Sequence, residues 1–223
     1  MSAPTSPVLR IGDPTALTRY VAAQLNNLFP DQGMEADIAL LAPSLPRALQ
    51  RMAPLLEAIR NFKPGFFDHF NSLQYASFLY LLANEHWRRA ADVALSERLF
   101  CLNRALNAID LFYSVRMPEV FFLSHGLGAT LGNASYGNRL VVFQNVTVGR
   151  VGDDRPAIGD DVVLYPGAIV TGRSTIGHRS VVGAGTVLHG VDVPDDTVAT
   201  MREGALSLRP RGSRDFIGHY LRS

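Results

Sequence analysis

A single cysteine, Cys101, stands in a chain of 223 residues. One thiol excludes an intramolecular disulfide and any zinc site built on cysteines, and it suits a reducing compartment. Net charge is equally scarce. The 21 basic residues are matched by 20 acidic ones, so no whole-protein field draws in nucleic acid or a membrane. Lys63 is the only lysine, and the arginines that replace it run through every segment. No apolar run approaches the roughly 18 residues that would suggest a membrane span. The opening MSAPTSPVLR lacks a basic start followed by an apolar stretch, so no secretory signal is expected. These absences together set the expectation of a soluble cytoplasmic protein.

Glycine is scarce in one half only. Residues 1–110 hold three (Gly12, Gly33, Gly65) and residues 111–223 hold sixteen. Glycine is costly inside helices and useful where a chain turns often. The first half therefore reads as helices. Asp13-Pro14 is a cap and first-turn proline before ALTRYVAAQLNNLF. Ser44 is placed to cap LPRALQRMAPLLEAIRNF, with Pro54 as a kink position. Asn71 or Ser72 opens LQYASFLYLLANEHWRRA, and a further helix spans about 92–109. His86 reads as a packed or surface histidine, since no partner motif lies near it.

The second half repeats every six residues. Ile158, Leu164, Val170, Ile176, Val182 and Leu188 recur without a slip. Four positions after each of the first five comes a small or β-branched residue: Val162, Ala168, Ser174, Ser180 and Thr186. This period fits neither an α-helix nor a hairpin array. It fits a parallel β-helix with three short strands per coil, the aliphatic residue inside the prism and the small one at a tight corner. Upstream the period has faults. Leu111, Met117 and Leu123 are six apart, Leu131 follows after eight, Val142 after eleven, Val148 after six and Ile158 after ten. Irregular spacings in a solenoid mark loops that leave the prism, and loops carry function.

Repeats of this kind resemble the left-handed β-helix acyltransferases, whose hand is an exception to the right-handed crossover rule. A helical half joined to a hexapeptide half is more specifically similar to serine O-acetyltransferase. Ile109-Asp110-Leu111, Leu123-Ser124-His125-Gly126-Leu127-Gly128, Val142-Phe143-Gln144-Asn145-Val146-Thr147-Val148-Gly149, Ile158-Gly159-Asp160-Asp161-Val162 and Val182-Gly183-Ala184-Gly185-Thr186-Val187-Leu188 carry the resemblance. It runs from about 70 to 195. The implied fold class is α+β, with a helical domain over 1–110, a left-handed parallel β-helix over 111–200 and a C-terminal tail over 201–223.

The resemblance implies His125 as catalytic base and Asp110, fifteen residues earlier, as the carboxylate that orients it. The chemistry needs such a pair, because a serine hydroxyl does not ionise at neutral pH. An imidazole taking its proton is worth typically ~10²–10⁴-fold. Acetyl-CoA is the implied co-substrate, lying in a groove between adjacent prisms. By position Gly149, Gly167 and Ala184 match its contacts, with Pro166 where alanine is usual. Arg173, Arg179, Arg209 and Arg211 are candidates for its phosphates. No metal is implied. His178 and His189 read as surface residues of regular repeats.

Three departures bear on the acceptor. Ser124 stands where the family has an aspartate that helps hold the amino acid. The loop Asp153-Asp154-Arg155-Pro156 is shorter and lacks the family histidine, although Arg155 keeps a guanidinium for a substrate carboxylate. The tail RDFIGHYLRS does not end in the isoleucine that family members insert into cysteine synthase, so that docking is not carried over. L-serine is the leading acceptor. A sugar hydroxyl, an amine or a biosynthetic intermediate is the alternative, and a non-catalytic scaffold is the reading from another class. A groove between prisms requires a homotrimer or a dimer of trimers.

Overall fold

The computed structural model describes residues 6–222. Residues 1–5 and 223, on which the leader reading and the last position of the tail depend, lie outside the described residues. The chain divides into two compact units. One comprises the chain up to Glu57, Phe62–Ala108 and Phe112–Ser114. The other comprises Ala58–Asn61, Ile109–Leu111 and everything from Val115 on.

The first unit holds α1 (Pro14–Leu28), α2 (Met34–Leu41), α3 (Leu45–Ala58), α4 (Ser72–Ala90) and α5 (Val93–Asn107). Three of the five starts are fixed by a side chain that accepts from backbone N–H groups left without an acceptor at the helix end. Asp13 accepts from Ala16 N ahead of Pro14, Asn71 accepts from Leu73 N and Gln74 N, and Asp92 accepts from Leu95 N. α4 is the core element, with Tyr75, Phe78, Leu79, Tyr80, Leu81 and Leu82 at 4% exposure or less. Asp37 of α2 is fully buried and takes a two-pronged guanidinium from Arg98 of α5 at 2.6 and 2.8 Å. A buried carboxylate is tolerated only when paired in this way.

Ser44 does not cap α3 with its side chain. Its hydroxyl lies 3.2 Å from Nδ1 of His86 and accepts from Arg89 Nε at 3.0 Å, while His86 Nε2 lies 3.0 Å from Asp92 Oδ2. The hydroxyl is satisfied across helices, so it is withdrawn from the local turn. Serine, histidine and aspartate stand in hydrolase order here, but Ser44 and His86 have no exposure to solvent. The network is a buried clamp. The His86 hydrogen bond holds the Asp92 carboxyl below its ordinary range against the opposing effect of burial.

The second unit is a parallel β-helix of about five coils. Face I stacks Asp110–Leu111, Thr130–Leu131, Thr147–Gly149, Ile169–Thr171 and Val187–His189. Face II stacks Phe121–Leu123, Leu140–Val142, Val163–Leu164, Val181–Val182 and Thr197–Arg202, and Ala205–Pro210 closes it as an antiparallel strand. Face III stacks Ser135–Tyr136, Ala157–Ile158, Thr175–Ile176 and Asp192–Val193. The six regular aliphatic residues point inward, at 4% exposure or less, and the five small residues at the corners are buried beside them.

Register resolves the faults in the period. Leu123 opposes Val142, and Leu131 opposes Val148, so the jump of eight is two extra residues in the corner 124–129. Tyr136 opposes Ile158 and supplies the inward position between Leu131 and Val142. The jump of ten is the loop 150–156 between faces I and III.

The edge from face III to face II carries a ladder of side chains. Asn138, Asp160, His178 and Asp195 each accept from a backbone N–H one coil away, at 2.6–3.0 Å. Beside them Arg139, Asp161, Arg179 and Asp196 all have positive φ and alternate in charge. Arg139 pairs with Asp161 and Arg179 with Asp196. Arg179, with help from Arg211, holds the Asp196 carboxyl down at about 2. The arginines at 179 and 211 are therefore committed to this ladder. Gly137, Gly159 and Gly177 let the coils approach here. A Cβ on Gly177 would stand 2.3 Å from Asp195 N and 2.5 Å from Pro194 C.

Two outcomes follow from this packing. Gly177→Ala forces backbone apart and costs about 3 kcal/mol in a denaturant titration. Gly149→Ala, whose Cβ meets nothing within 4 Å, stays within ~1 kcal/mol of the parent. In the helical unit His69 is buried against Tyr20 and Phe70, and burial pulls it below its ordinary value of 6.5. The folded state then binds this proton less readily than the unfolded chain. Stability from this site is complete above pH 6.5 and declines as pH falls below it. His69→Phe flattens that slope in melting curves taken between pH 7 and 5.

Candidate active site

The edge from face II to face I sets the candidate site. In the second to fourth coils this corner has four residues: 143–146, 165–168 and 183–186. In the first it has six, 124–129. The extra length changes the backbone. His125 takes φ 51, a left-handed conformation unfavourable for a side-chain-bearing residue, and its carbonyl accepts from Leu127 N at 2.7 Å. The imidazole is exposed, whereas Ser124 before it is 4% exposed.

Asp110 belongs to the same corner. Its backbone N–H donates to Ala129 O at 2.9 Å, and its strand pairs Asp110 with Thr130. Gly126 packs on the preceding residue, since a Cβ there would stand 3.1 Å from Ile109 Cδ1. The Ile109–Leu111 strand segment and the His125 corner are thus one packed feature of the second unit, and Asp110 is half-buried at its margin.

Register carries the edge onward. Leu123, Val142, Leu164 and Val182 oppose one another, and Asn145 N donates to Leu127 O, so Leu127, Gln144, Pro166 and Ala184 form a column, with His125 and Gly126 as the two inserted residues beside its head. Gly167, at φ 68, donates to Gln144 O, and Gly185 donates to Pro166 O. Three of the proposed coenzyme residues, Pro166, Gly167 and Ala184, therefore follow His125 along one edge.

The other proposed residues do not join them within the chain. Gly149, Arg155 and Arg173 lie on the edge from face I to face III, across the width of face I. Arg155 is exposed and lines a cavity of about 760 Å³ with Arg116, Glu119, Asn133, Asn138 and Asp160; His125 is not part of its wall. Arg173 is exposed. His178 and His189 are surface residues of the ladder and of face I.

An aromatic cluster at the His125 edge was not apparent from the sequence. Phe143 and Tyr165 stack with centroids 5.3 Å apart, and Tyr220 meets Phe143 edge-on at 5.3 Å. The Tyr220 hydroxyl donates to that of Tyr165 at 3.2 Å. Burial first, then this hydrogen bond, pushes Tyr165 well above the ordinary phenol range, so it is no alternative base. Leu221 bridges to Ile59, and Arg222 donates to the carbonyls of Ile59 and Arg60. The tail's Ile217–Arg222 stretch is thereby held on its own prism. The signal for this in the sequence was only two aromatics 22 positions apart, Phe143 and Tyr165, breaking a small-residue column.

Comparison with known proteins agrees with this architecture. Residues 155–190 match the family described as bacterial transferase hexapeptide (six repeats). The serine acetyltransferase of Bacillus subtilis (strain 168) is 34% identical over 120 residues, 48% of this chain and 54% of that protein. The chain thus spans about half the length of the curated relatives it matches. The soybean serine acetyltransferase apoenzyme superposes with a TM-score of 0.63 at 26% identity, covering 86% of this chain and 84% of that one. A serine acetyltransferase solved in complex with CoA superposes at 0.67 with 19% identity, covering 87% and 85%. The chain is thus similar to serine acetyltransferases over about half its length and shares their fold, a helical unit followed by a left-handed parallel β-helix.

Proposed function

We propose that the chain transfers the acetyl group of acetyl-CoA to the hydroxyl of L-serine, in cysteine biosynthesis, with His125 as general base and Asp110 as its orienting carboxylate. The observation that carries this reading is His125 itself. It is an exposed imidazole on a strained left-handed backbone, at a corner packed against Ile109 and on the edge that carries Pro166, Gly167 and Ala184. Strain of this kind persists where the surrounding structure enforces it, and it clusters at functional sites. The CoA complex of a structural neighbour supports the coenzyme.

Acetyl-CoA supplies the acyl group as a thioester. The His125 imidazole, in its neutral form, takes the hydroxyl proton as the acceptor oxygen bonds to the thioester carbon. The C–S bond breaks, and the imidazolium returns that proton to the departing thiolate. Asp110 fixes which ring nitrogen is free and stabilises the imidazolium. Pro166, Gly167 and Ala184 keep the edge narrow enough for an extended pantetheine arm. Arg155 and Arg173 serve the acceptor carboxylate and the coenzyme phosphates.

The split of these residues over two edges of face I supports a site shared between chains. Strands of three residues put the edges about 10 Å apart. A neighbouring prism laid beside face I would bring its own edge to His125, which is the arrangement of a homotrimer or a dimer of trimers. Among the described residues no helix is long and apolar enough to cross a membrane; we place the protein in the cytoplasm. Ser124 favours one second reading, an acceptor other than serine. Its buried hydroxyl cannot pair with an ammonium as a carboxylate would.

Thiol release from acetyl-CoA, assayed with serine and a panel of alcohols and amines, tests the assignment. Release with serine is expected. Release only with another acceptor overturns serine, and none at all overturns acyl transfer. His125→Asn, which tolerates positive φ, keeps the melting temperature and lowers kcat by about 10²–10⁴-fold. Asp110→Asn lowers kcat by about 10²-fold or more with little change in KM. Light scattering returns a mass that is a multiple of three chains, and a monomer contradicts the shared site.

A further inference from the structure

The cavity beside Arg155 lies on face III, and its volume of about 760 Å³ is in the range of small-molecule sites. Three features of the prism build it. Its floor is low, because the outward residues of the two paired strands there, Ser135 and Ala157, are small. The loop 150–156 rises on one side and carries Arg155, with Pro156 buried at its base. The stretch 116–119 closes one end; it lies between Leu111 of face I and Phe121 of face II, so it is the first coil's share of face III. Three charged side chains reach this cavity uncommitted. Among the described residues, no hydrogen bond or ion pair involves the side chain of Arg116, Glu119 or Arg155. On the adjacent ladder Arg139, Asp161, Arg179 and Asp196 are all paired. The free charges are also sorted. Arg155 rises from the edge between faces I and III, and Arg116 stands at the closed end. Glu119 lies at the opposite edge, directly before Val120, whose N–H donates to Asn138 Oδ1 at 2.9 Å. Asp160 adds a second carboxylate on that side.

We infer that this cavity binds a short peptide with free termini, its carboxylate held by Arg155 and Arg116 and its ammonium by Glu119 and Asp160. The inference is independent of the acetyl-CoA reading, since His125 is not part of the wall. The sorting of charge selects a zwitterion, because a bare anion would leave two carboxylates facing it. The separation selects a peptide over a single amino acid. Strands of two residues put the edges of face III about 7–10 Å apart. The two charges of one amino acid are only about 3 Å apart, whereas an extended chain gains about 3.3–3.6 Å per residue, so two or three residues span the trough. Between the charges Ser135, Asn133 and Asn138 face the peptide groups. Asn138 spends its carbonyl oxygen on Val120, which leaves its amide N–H groups for a ligand carbonyl. The guanidinium–carboxylate pair at one end sets the direction of the chain. A second prism laid beside face I leaves face III uncovered, so the site survives assembly.

The test is calorimetric titration of the full-length protein with triglycine, together with melting curves. Triglycine binds. N-acetyltriglycine, which lacks the ammonium, triglycinamide, which lacks the carboxylate, and glycine, which lacks the span, each bind at least about tenfold more weakly. Arg116→Gln and Glu119→Gln each weaken triglycine about tenfold and leave the melting temperature unchanged, since both side chains are exposed and unpaired. Arg155 is left intact in these variants because it is also assigned to the acceptor carboxylate. Saturation with CoA leaves the triglycine affinity as it was, which separates the cavity from the His125 edge. No binding at about 10 mM triglycine, equal binding of the capped peptides, parental affinity in both variants, or displacement by CoA overturns the inference. A chain that binds triglycine in this way and binds no CoA keeps the site and loses the acetyl-CoA reading.

Discussion

The stacking of one coil on the next governs this molecule. Every strand is two or three residues long in the regular coils, so no strand has a stable ladder of its own. Its N–H groups reach the carbonyls of the following coil instead, as in Val141 to Val162, Val163 to Ser180 and Ile169 to Thr186. That works only while each coil has the same circumference, which is what a six-residue period enforces. It also requires corners without bulk. Gly137, Gly159 and Gly177 stand where a Cβ would collide with backbone of the next coil. Inward aliphatic residues then form continuous columns, and their burial is the main favourable contribution to folding.

Much of this architecture was legible because a solenoid writes its geometry into spacing. The six regular aliphatics and their small companions predicted the prism interior residue by residue. Tyr136 escaped because it is an aromatic at an aliphatic position, and its hydroxyl is accommodated by donating to Gly132 O at 2.8 Å. The helices were legible from caps and periodicity. Ser44 was misread because a hydroxyl before a helix looks like a cap whether or not a distant histidine claims it. Contacts such as Ser44–His86–Asp92 join residues 42 and 6 positions apart and leave no local pattern.

The site was legible only in part. His125 and Asp110 emerged from a family-like segment, and the fold packs their backbones into one corner. The division of the remaining residues between two edges of face I was not legible. Which edge a residue occupies depends on the register, and the register is set by the faults in the period. The tail was opaque for the same reason: Tyr220 meets Phe143 and Tyr165 across more than 50 positions, through a return path that no repeat encodes.

The two interruptions of the solenoid show how side chains are set apart on so repetitive a frame. A four-residue corner turns the chain with one left-handed residue, supplied by Asn145, Gly167 or Gly185. The six-residue corner needs two, His125 and Gly128. The second left-handed position lifts a side chain off the stacked wall without disturbing the strands on either side, because Leu123 and Thr130 keep their regular partners. The loop 150–156 does the same at the opposite edge, carrying Arg155 outward while Val148 and Ile158 stay in register. Insertions are therefore accommodated at corners, where the cost is confined to local backbone strain, and the strands that flank each one keep their register.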